Sequence, residues 1–298
     1  MAKSNSEWIS GNTGQDSGVL DIECQRKAEE ELNETPENYK KELSSLRSMI
    51  LNDTNLNVPK EDEFLLRFLR ARKFDSKKAF TMIQRYYLMK LKCPELFGYS
   101  LPSENEKVFE LQAQVMLPER DKDGRRIYIL RVDYFDATRV TIEEVFRSNI
   151  LALEHIVREQ ETQVSGVVVI LDMAGLSLQH AKFFTPYYAK KTVELVQETF
   201  PLRFKGFHIV NEPFYFDAVM TVLKPFLKEK IRKRIYLHGN DLSSLHAFIS
   251  PDLLPKEYGG TAGNFDNRPW FMQLMSEEKY FIDQKQYGYR TEGTEENP

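Results

Sequence analysis

From Glu61 onward Phe64, Leu65, Phe68 and Leu69 recur at helical spacing with Arg67, Arg70 and Arg72 interleaved, a pattern that predicts an amphipathic helix. Asp75 then reads as the cap of a second helix, Ser76 to about Lys92, with Ala79, Phe80, Ile83 and Tyr87 turned inward. Upstream, residues 21–51 are acidic and helical in pattern. Thr35 followed by Pro36 marks a helix start, and Leu43, Leu46 and Ile50 fall on one stripe of a helix ending near Leu51. Several helices ahead of any strand signal predict a small all-helical unit.

After Pro102 the period changes. Leu111 to Leu117 and Ile127 to Val132 read as strands separated by the turn Asp121-Lys122-Asp123-Gly124. Thr141 and Glu144 form a capping-box pattern opening a helix that is expected to reach about Gln160. Gly166 to Asp172 is a continuous apolar run of strand length, as in a strand buried on both faces. Pro186 to about Glu198 reads as a helix, Phe207 to Val210 as a strand, Phe214 to Leu223 as a helix, and Ile235 to Leu237 as a short strand. Strands alternating with helices imply an α/β layered domain. The expected organisation is a disordered lead over 1–20, a helical domain over 21–101, an α/β domain over 102–275 and a tail over 276–298.

Charge sharpens this picture at one place. Arg203, Lys205, Lys224, Lys228, Lys230, Arg232, Lys233 and Arg234 face only Glu212, Asp217 and Glu229, so this segment carries +5 in a chain whose total is −4. Within it, Phe214 to Leu223 is almost wholly apolar, too much so for an ordinary surface helix. Such a segment suits either a core helix or a surface that meets anionic lipid, and buried charges beside it would need partners. Pro225 ends or kinks the helix, while Gly206 and Pro213 bracket its entry as plausible hinges.

Composition excludes several classes. Two cysteines, Cys24 and Cys93, are too few for a disulfide framework and lack metal-ligand spacing, which suits a reducing, cytosolic setting. The first twenty residues show no signal-peptide pattern, and Ala2 in place of glycine excludes N-myristoylation. The longest clean apolar run, Val167 to Leu171, is far short of the roughly 20 residues of a membrane span, so membrane contact is expected to be peripheral. There is no P-loop, no nucleophile elbow around Ser177 and no HExxH among the five histidines. Gly259 to Gly263 reads as a turn, and Asp172, the best candidate catalytic carboxylate, reads better as a cap of the turn after its strand. No enzyme, no metal, no cofactor and no nucleic-acid partner is expected.

Phe64-Leu65-Leu66-Arg67-Phe68-Leu69-Arg70-Ala71-Arg72-Lys73-Phe74-Asp75 resembles the N-terminal motif of the CRAL-TRIO lipid-transfer family. The resemblance continues through Phe200-Pro201-Leu202-Arg203, Asn211-Glu212-Pro213, Pro225-Phe226-Leu227, His238-Gly239 and Leu254 to Gly260, in the family's order. It is nearest to the tocopherol-transfer and clavesin branches. It implies an α/β CRAL-TRIO fold: a helical N-terminal domain, then a lipid-binding domain whose mixed, largely parallel sheet floors an apolar cavity. It further implies that the segment after Asn211-Glu212-Pro213 is a mobile lid. By the same resemblance, Arg72, Arg203, Lys205, Lys230 and Arg234 are expected to hold a phosphatidylinositol bisphosphate headgroup. Lys and Arg are exchanged at positions 203 and 205, which redistributes bidentate phosphate contacts while keeping the charge.

Candidate cavity and lid positions are Val115, Ile129, Ile150, Leu153, Val168, Ile170, Leu178, Phe183, Tyr187, Val193, Val210, Phe214, Ala218, Val222 and Leu223. The expected protein is a cytoplasmic, monomeric carrier of one lipophilic small molecule, such as a tocopherol, retinoid or carotenoid. It would associate peripherally with endosomal or other phosphoinositide-bearing membranes. Two alternatives stay open: a phosphoinositide-binding trafficking adaptor that transfers nothing, and a phosphatidylinositol/phosphatidylcholine exchanger.

Overall fold

The first helices form where their caps place them. A computed structural model describes residues 20–136, 138–177, 180 and 185–290; the expected lead therefore lies almost wholly outside the described residues. The N-terminal helices are α1 (Ile22–Leu32), α2 (Pro36–Asn52), α3 (Asp62–Ala71) and α4 (Ser76–Lys92), with the single turns α5 (Pro94–Phe97) and α6 (Glu106–Phe109) after them. Thr35 Oγ1 accepts from Asn38 N at 3.2 Å, and Asp75 Oδ1 from Lys78 N at 3.0 Å, so both expected caps satisfy a first-turn amide. Leu65, Phe68 and Leu69 of α3 are fully buried against Leu46, Ala79 and Ile83 in one core.

The second domain is a five-stranded sheet of β2 (Gln114–Arg120), β3 (Arg126–Arg131), β4 (Val167–Asp172), β5 (Phe204–Val210) and β6 (Ile235–Leu237); a small pair, β1 (Leu56–Asn57) with β7 (Gly288–Tyr289), stands apart from it. The order is β2-β3-β4-β5-β6, with β2 antiparallel to β3 and the other pairs parallel. Parallel neighbours need crossovers. These are supplied by α7 (Ile142–Ile156) with α8 (Gln160–Ser165), by α9 (Pro186–Glu194), and by α10 (Phe216–Leu223) with the turn α11 (Glu229–Arg232). The Thr141/Glu144 capping box is present, with both reciprocal bonds at the start of α7. That helix ends at Ile156, ahead of the expected Gln160, because α8 begins a separate turn there.

The sheet is covered on both sides. Alternate strand residues Val115, Ile129, Val168, Ile170 and Val210 pack with Leu245, Ile249, Leu254 and Tyr258, which come from and follow α12 (Leu242–His246). The intervening residues Met116, Tyr128, Val167 and Val169 pack with Ile150, Leu153 and the N-terminal helices. Two further helices, α13 (Arg268–Ser276) and α14 (Glu278–Asp283), lead into β7. Residues 276–290 are therefore folded, where a tail is expected. Leu56 pairs with Tyr289, Asn57 Nδ2 donates to Gln286 O at 2.9 Å, and Arg290 N donates to Asn55 O at 2.9 Å. Two-residue strands lack the alternation that would reveal them in sequence.

Candidate anion site and lid

A cavity of about 1130 Å³ opens where α1, α2 and the turn after α3 meet the start of β5 and the segment after α10. Arg72, Arg203, Lys205, Lys230 and Arg234 all line it, and Lys73, absent from the expected set, lines it too. Lys73 (φ 52°) and Phe74 (φ 56°) are consecutive left-handed residues, each a strained choice for a side chain with a Cβ. Burial of Phe74 and its amide bond to Leu69 O at 2.8 Å offset that strain. The resulting reversal ends α3, enters α4 and leaves Arg72 and Lys73 at the cavity.

Arg72 donates through Nη2 to the carbonyls of Glu198 at 3.1 Å and Gln197 at 3.4 Å. Both lie in the π turn Leu195–Thr199 at the end of α9, a type of turn often found at functional sites. Arg203 immediately precedes β5 and Lys205 is its second residue, and both side chains reach the same carboxylate. Close strand contact fixes their backbone: a Cβ on Gly166 (φ 89°) would meet Arg203 O at 2.2 Å and Lys205 Cγ at 3.0 Å. Arg203 donates to Val164 O and, through Nη2, to Glu31 Oε2 at 2.7 Å; Lys205 Nζ reaches the same oxygen at 3.1 Å. Arg234 donates to Phe204 O. Lys230 and Lys73 meet no carboxylate in an ion pair among the described residues.

The electrostatics follow from one carboxylate, Glu31, shared by two cations. Burial alone would raise the Glu31 pKa, but the hydrogen bonds from Arg203 and Lys205 dominate and hold it at about 2. Lys205 is also lowered, to about 8, but here the shift disfavours the charge, because burial and the adjacent Arg203 outweigh its share of Glu31. Burial, and then neighbouring cations, also push Lys230 and Arg234 downward. Positive charge is thus concentrated beyond what the protein neutralises, and a multiply charged anion would relieve it.

The lid segment borders this cavity. In α10, Phe216 and Met220 are buried with Met173, Leu176 and Ile209, and Leu171, Val219, Leu223 and Ile235 pack around them, so the helix covers the carboxyl ends of β4 and β5. The expected inward residues are turned differently: Phe214 is 96% exposed and Ala218 is exposed, while Val222 and Leu223 are half-buried. Asp217 and Thr221, one turn apart and both exposed, mark the solvent face of this helix and leave Phe216 and Met220 to turn in. Gln197 ties the exit of the segment to the π turn, donating to Phe226 O at 3.2 Å and accepting from Lys228 N at 2.7 Å.

The other cavity candidates do not converge on one space. Val115, Ile129, Val168, Ile170 and Val210 belong to the sheet face sealed by Leu245 to Tyr258. Ile150 and Leu153 of α7 belong to the opposite face, Val193 is buried on α9, and Tyr187 is 47% exposed with its hydroxyl donating to Glu95 Oε1 at 2.8 Å. Leu178 and Phe183 lie outside the described residues. On a sheet of period two, a one-residue displacement exchanges faces, and the buried β4 run offers no polar residues to set it. Asp172 caps as expected, accepting from Ala174 N at 3.0 Å, and also from Asn211 Nδ2 at 2.8 Å and Tyr258 OH at 2.9 Å. No helix among the described residues is long and apolar enough to cross a membrane.

Comparison with known proteins gives these features a family. The model described as CRAL/TRIO domain matches residues 112–260, and that of a Pinta-like, UBA domain matches residues 35–106. The chain is 41% identical over 257 residues to the human (Homo sapiens) protein named Alpha-tocopherol transfer protein-like, covering 86% of this chain and 75% of that one. It is 35% identical over 272 residues to Clavesin-1 of Xenopus laevis, covering 90% and 81%. Among solved structures, that titled Crystal structure of Sfh5 superposes with a TM-score of 0.50 at 14% identity, over 89% of this chain and 99% of that one, a likeness of fold alone. The helical unit, the largely parallel sheet and this similarity over most of the sequence make the chain a member of the CRAL-TRIO lipid-transfer family.

Proposed function

We propose that the protein is a non-enzymatic cytoplasmic carrier of one hydrophobic ligand that docks on phosphoinositide-bearing membranes, endosomal ones among them. The observation that carries this reading is a single edge bearing two chemistries. Ten cations line one cavity, among them Lys228, Lys230 and Arg234, which follow the lid closely in sequence, while Phe214 just ahead of the lid helix and Ala218 within it are turned outward. Cations on a flexible lipid headgroup and apolar residues in the acyl boundary are what an interfacial docking surface needs. Membership in the family, and relatives named for tocopherol transfer, support a lipophilic cargo.

In this reading the ligand lies on the α7 side of the sheet, beneath α10, because the lid meets that side through Leu171. Affinity comes from apolar burial at about 25 cal/mol per Å². Headgroup phosphates take charge-assisted hydrogen bonds from Arg72, Arg203, Lys205, Lys230 and Arg234. The lid then exchanges its buried face, Phe216 and Met220, between cargo and bilayer. No covalent bond is made or broken. Changing Lys230 and Arg234 together to Ala should lower binding to phosphatidylinositol bisphosphate vesicles by at least about tenfold, since each lost charged contact is worth roughly 1 kcal/mol or more; unchanged binding rejects the docking model. Solvent extraction of protein purified from its native host, followed by mass spectrometry, tests the cargo. A stoichiometric lipophile supports a carrier, a phospholipid an exchanger, and repeated empty extractions a trafficking adaptor.

A further inference from the structure

Glu31 stands apart from everything assigned to this site. It belongs to α1, well away in sequence from Arg203 and Lys205, yet one oxygen of its carboxylate accepts from both, at 2.7 and 3.1 Å. Its helix is held to the core by Cys24, Ala28 and Leu32, so the carboxylate is delivered to the cavity by a fixed scaffold. Glu29 and Glu30 share the helix without joining the site, and Glu30 is engaged by Arg26 at 3.0 Å. The remaining cations divide unequally. Lys73 and Lys230 have no carboxylate partner among the described residues, whereas Arg203 and Lys205 share one.

We propose that Glu31 is an internal stand-in for a phosphate, occupying the Arg203/Lys205 half of the cavity and making this half selective for phosphomonoesters. The inference deepens the docking function proposed above and rests on it. A carboxylate or phosphodiester of charge −1, as on phosphatidylserine, offers Arg203 and Lys205 nothing that Glu31 does not already supply. A phosphomonoester carries about −1.5 to −2 charges and three acceptor oxygens, so it can displace Glu31 at a net gain. The unpaired half, around Lys73 and Lys230, is open to a first phosphate. A headgroup with two phosphomonoesters fills both halves, and the Glu31 side chain swings into solvent while α1 stays docked.

The test compares wild type, Glu31→Gln and Glu29→Gln on phosphatidylcholine vesicles containing either phosphatidylserine or phosphatidylinositol bisphosphate. Glu31→Gln should bind phosphatidylserine vesicles about fivefold more tightly, the weight of one partly exposed charged contact. Its preference for the bisphosphate over the serine lipid should fall accordingly. Glu29→Gln, with the same change in net charge, should keep the wild-type preference. Equal effects of the two variants, or an unchanged preference in Glu31→Gln, overturn the proposal. A wild type without any preference for the bisphosphate instead overturns the docking function itself, so the two failures are distinct. Inositol trisphosphate in solution should compete with the vesicles where inorganic phosphate at equal concentration does not; the reverse would assign the site to free phosphate. Should Glu31→Gln fold poorly, Glu31→Asp retains the charge on a side chain one methylene shorter. It should move the preference in the same direction, and no movement overturns the proposal.

Discussion

The shared carboxylate gives individual residues a pH signature. Lys205 has a pKa of about 8 against 10.5 for an ordinary lysine, because burial and Arg203 disfavour its charge. Vesicle binding should therefore weaken as pH rises from 7 through 9, while Lys205→Arg, which stays protonated, should flatten that decline; equal profiles in a flotation assay would exclude Lys205 as the titrating group. Glu31 has the opposite sign. Its carboxylate is held at about 2 against 4.5, so its contribution to stability is complete above 4.5 and is lost as pH falls toward 2. Because Glu31 is partly exposed, screening limits this to about 1 kcal/mol, and Glu31→Gln should lower thermal stability at pH 7 by that order and not at pH 2. At this scale the sequence was informative about the basic residues, since Arg72 to Phe74 and the cations around the lid form recognisable runs. It was silent about Glu31, one acid among nine between Met1 and Glu37, whose role depends on a contact 172 residues away.

Among the elements, helices with a capping residue and an apolar stripe were readable. Thr35, Asp75 and Thr141 cap as their chemistry dictates. The lid was readable as an element, and its orientation was written only in Asp217 and Thr221, two polar residues one turn apart that mark the solvent face amid an otherwise apolar run. Its packing supports a pair of contrasting substitutions. Phe216→Ala or Met220→Ala removes a buried side chain and should cost about 2–4 kcal/mol in denaturant unfolding. Phe214→Ala should leave unfolding unchanged within about 0.5 kcal/mol and reduce vesicle insertion. The lid exit is held by Gln197, whose amide bonds Phe226 O and Lys228 N while its own carbonyl faces Arg72. Gln197→Ala should accelerate amide hydrogen exchange across Phe216 to Lys228 and spare α7. Exchange unchanged in the lid would mean that the π turn does not restrain it.

For the molecule as a whole, the two faces of the sheet have different duties, and this distinction is invisible in an apolar run such as Val167 to Leu171. On one face Val168 and Ile170 are closed under Leu245, Ile249, Leu254 and Tyr258, a permanent core. On the other, Val169 and Leu171 look toward α7, and Leu171 also touches the lid cluster. If cargo occupies the second face, substitutions on the two sides must separate stability from loading. Val168→Ala should lower unfolding free energy by about 1–2 kcal/mol with or without ligand, since it only opens a void in a sealed core. Val169→Phe adds volume on the cargo side and should cost a similar amount through overpacking. It should in addition reduce the lipophile recovered by solvent extraction and the thermal stabilisation that ligand confers, about 2.7 kcal/mol at a hundredfold excess over Kd for an unimpaired site. Equal ligand recovery from both variants would move the cargo away from the α7 face. The lid would then guard a space elsewhere, and the juxtaposition of lid and cationic cavity would serve membrane attachment alone.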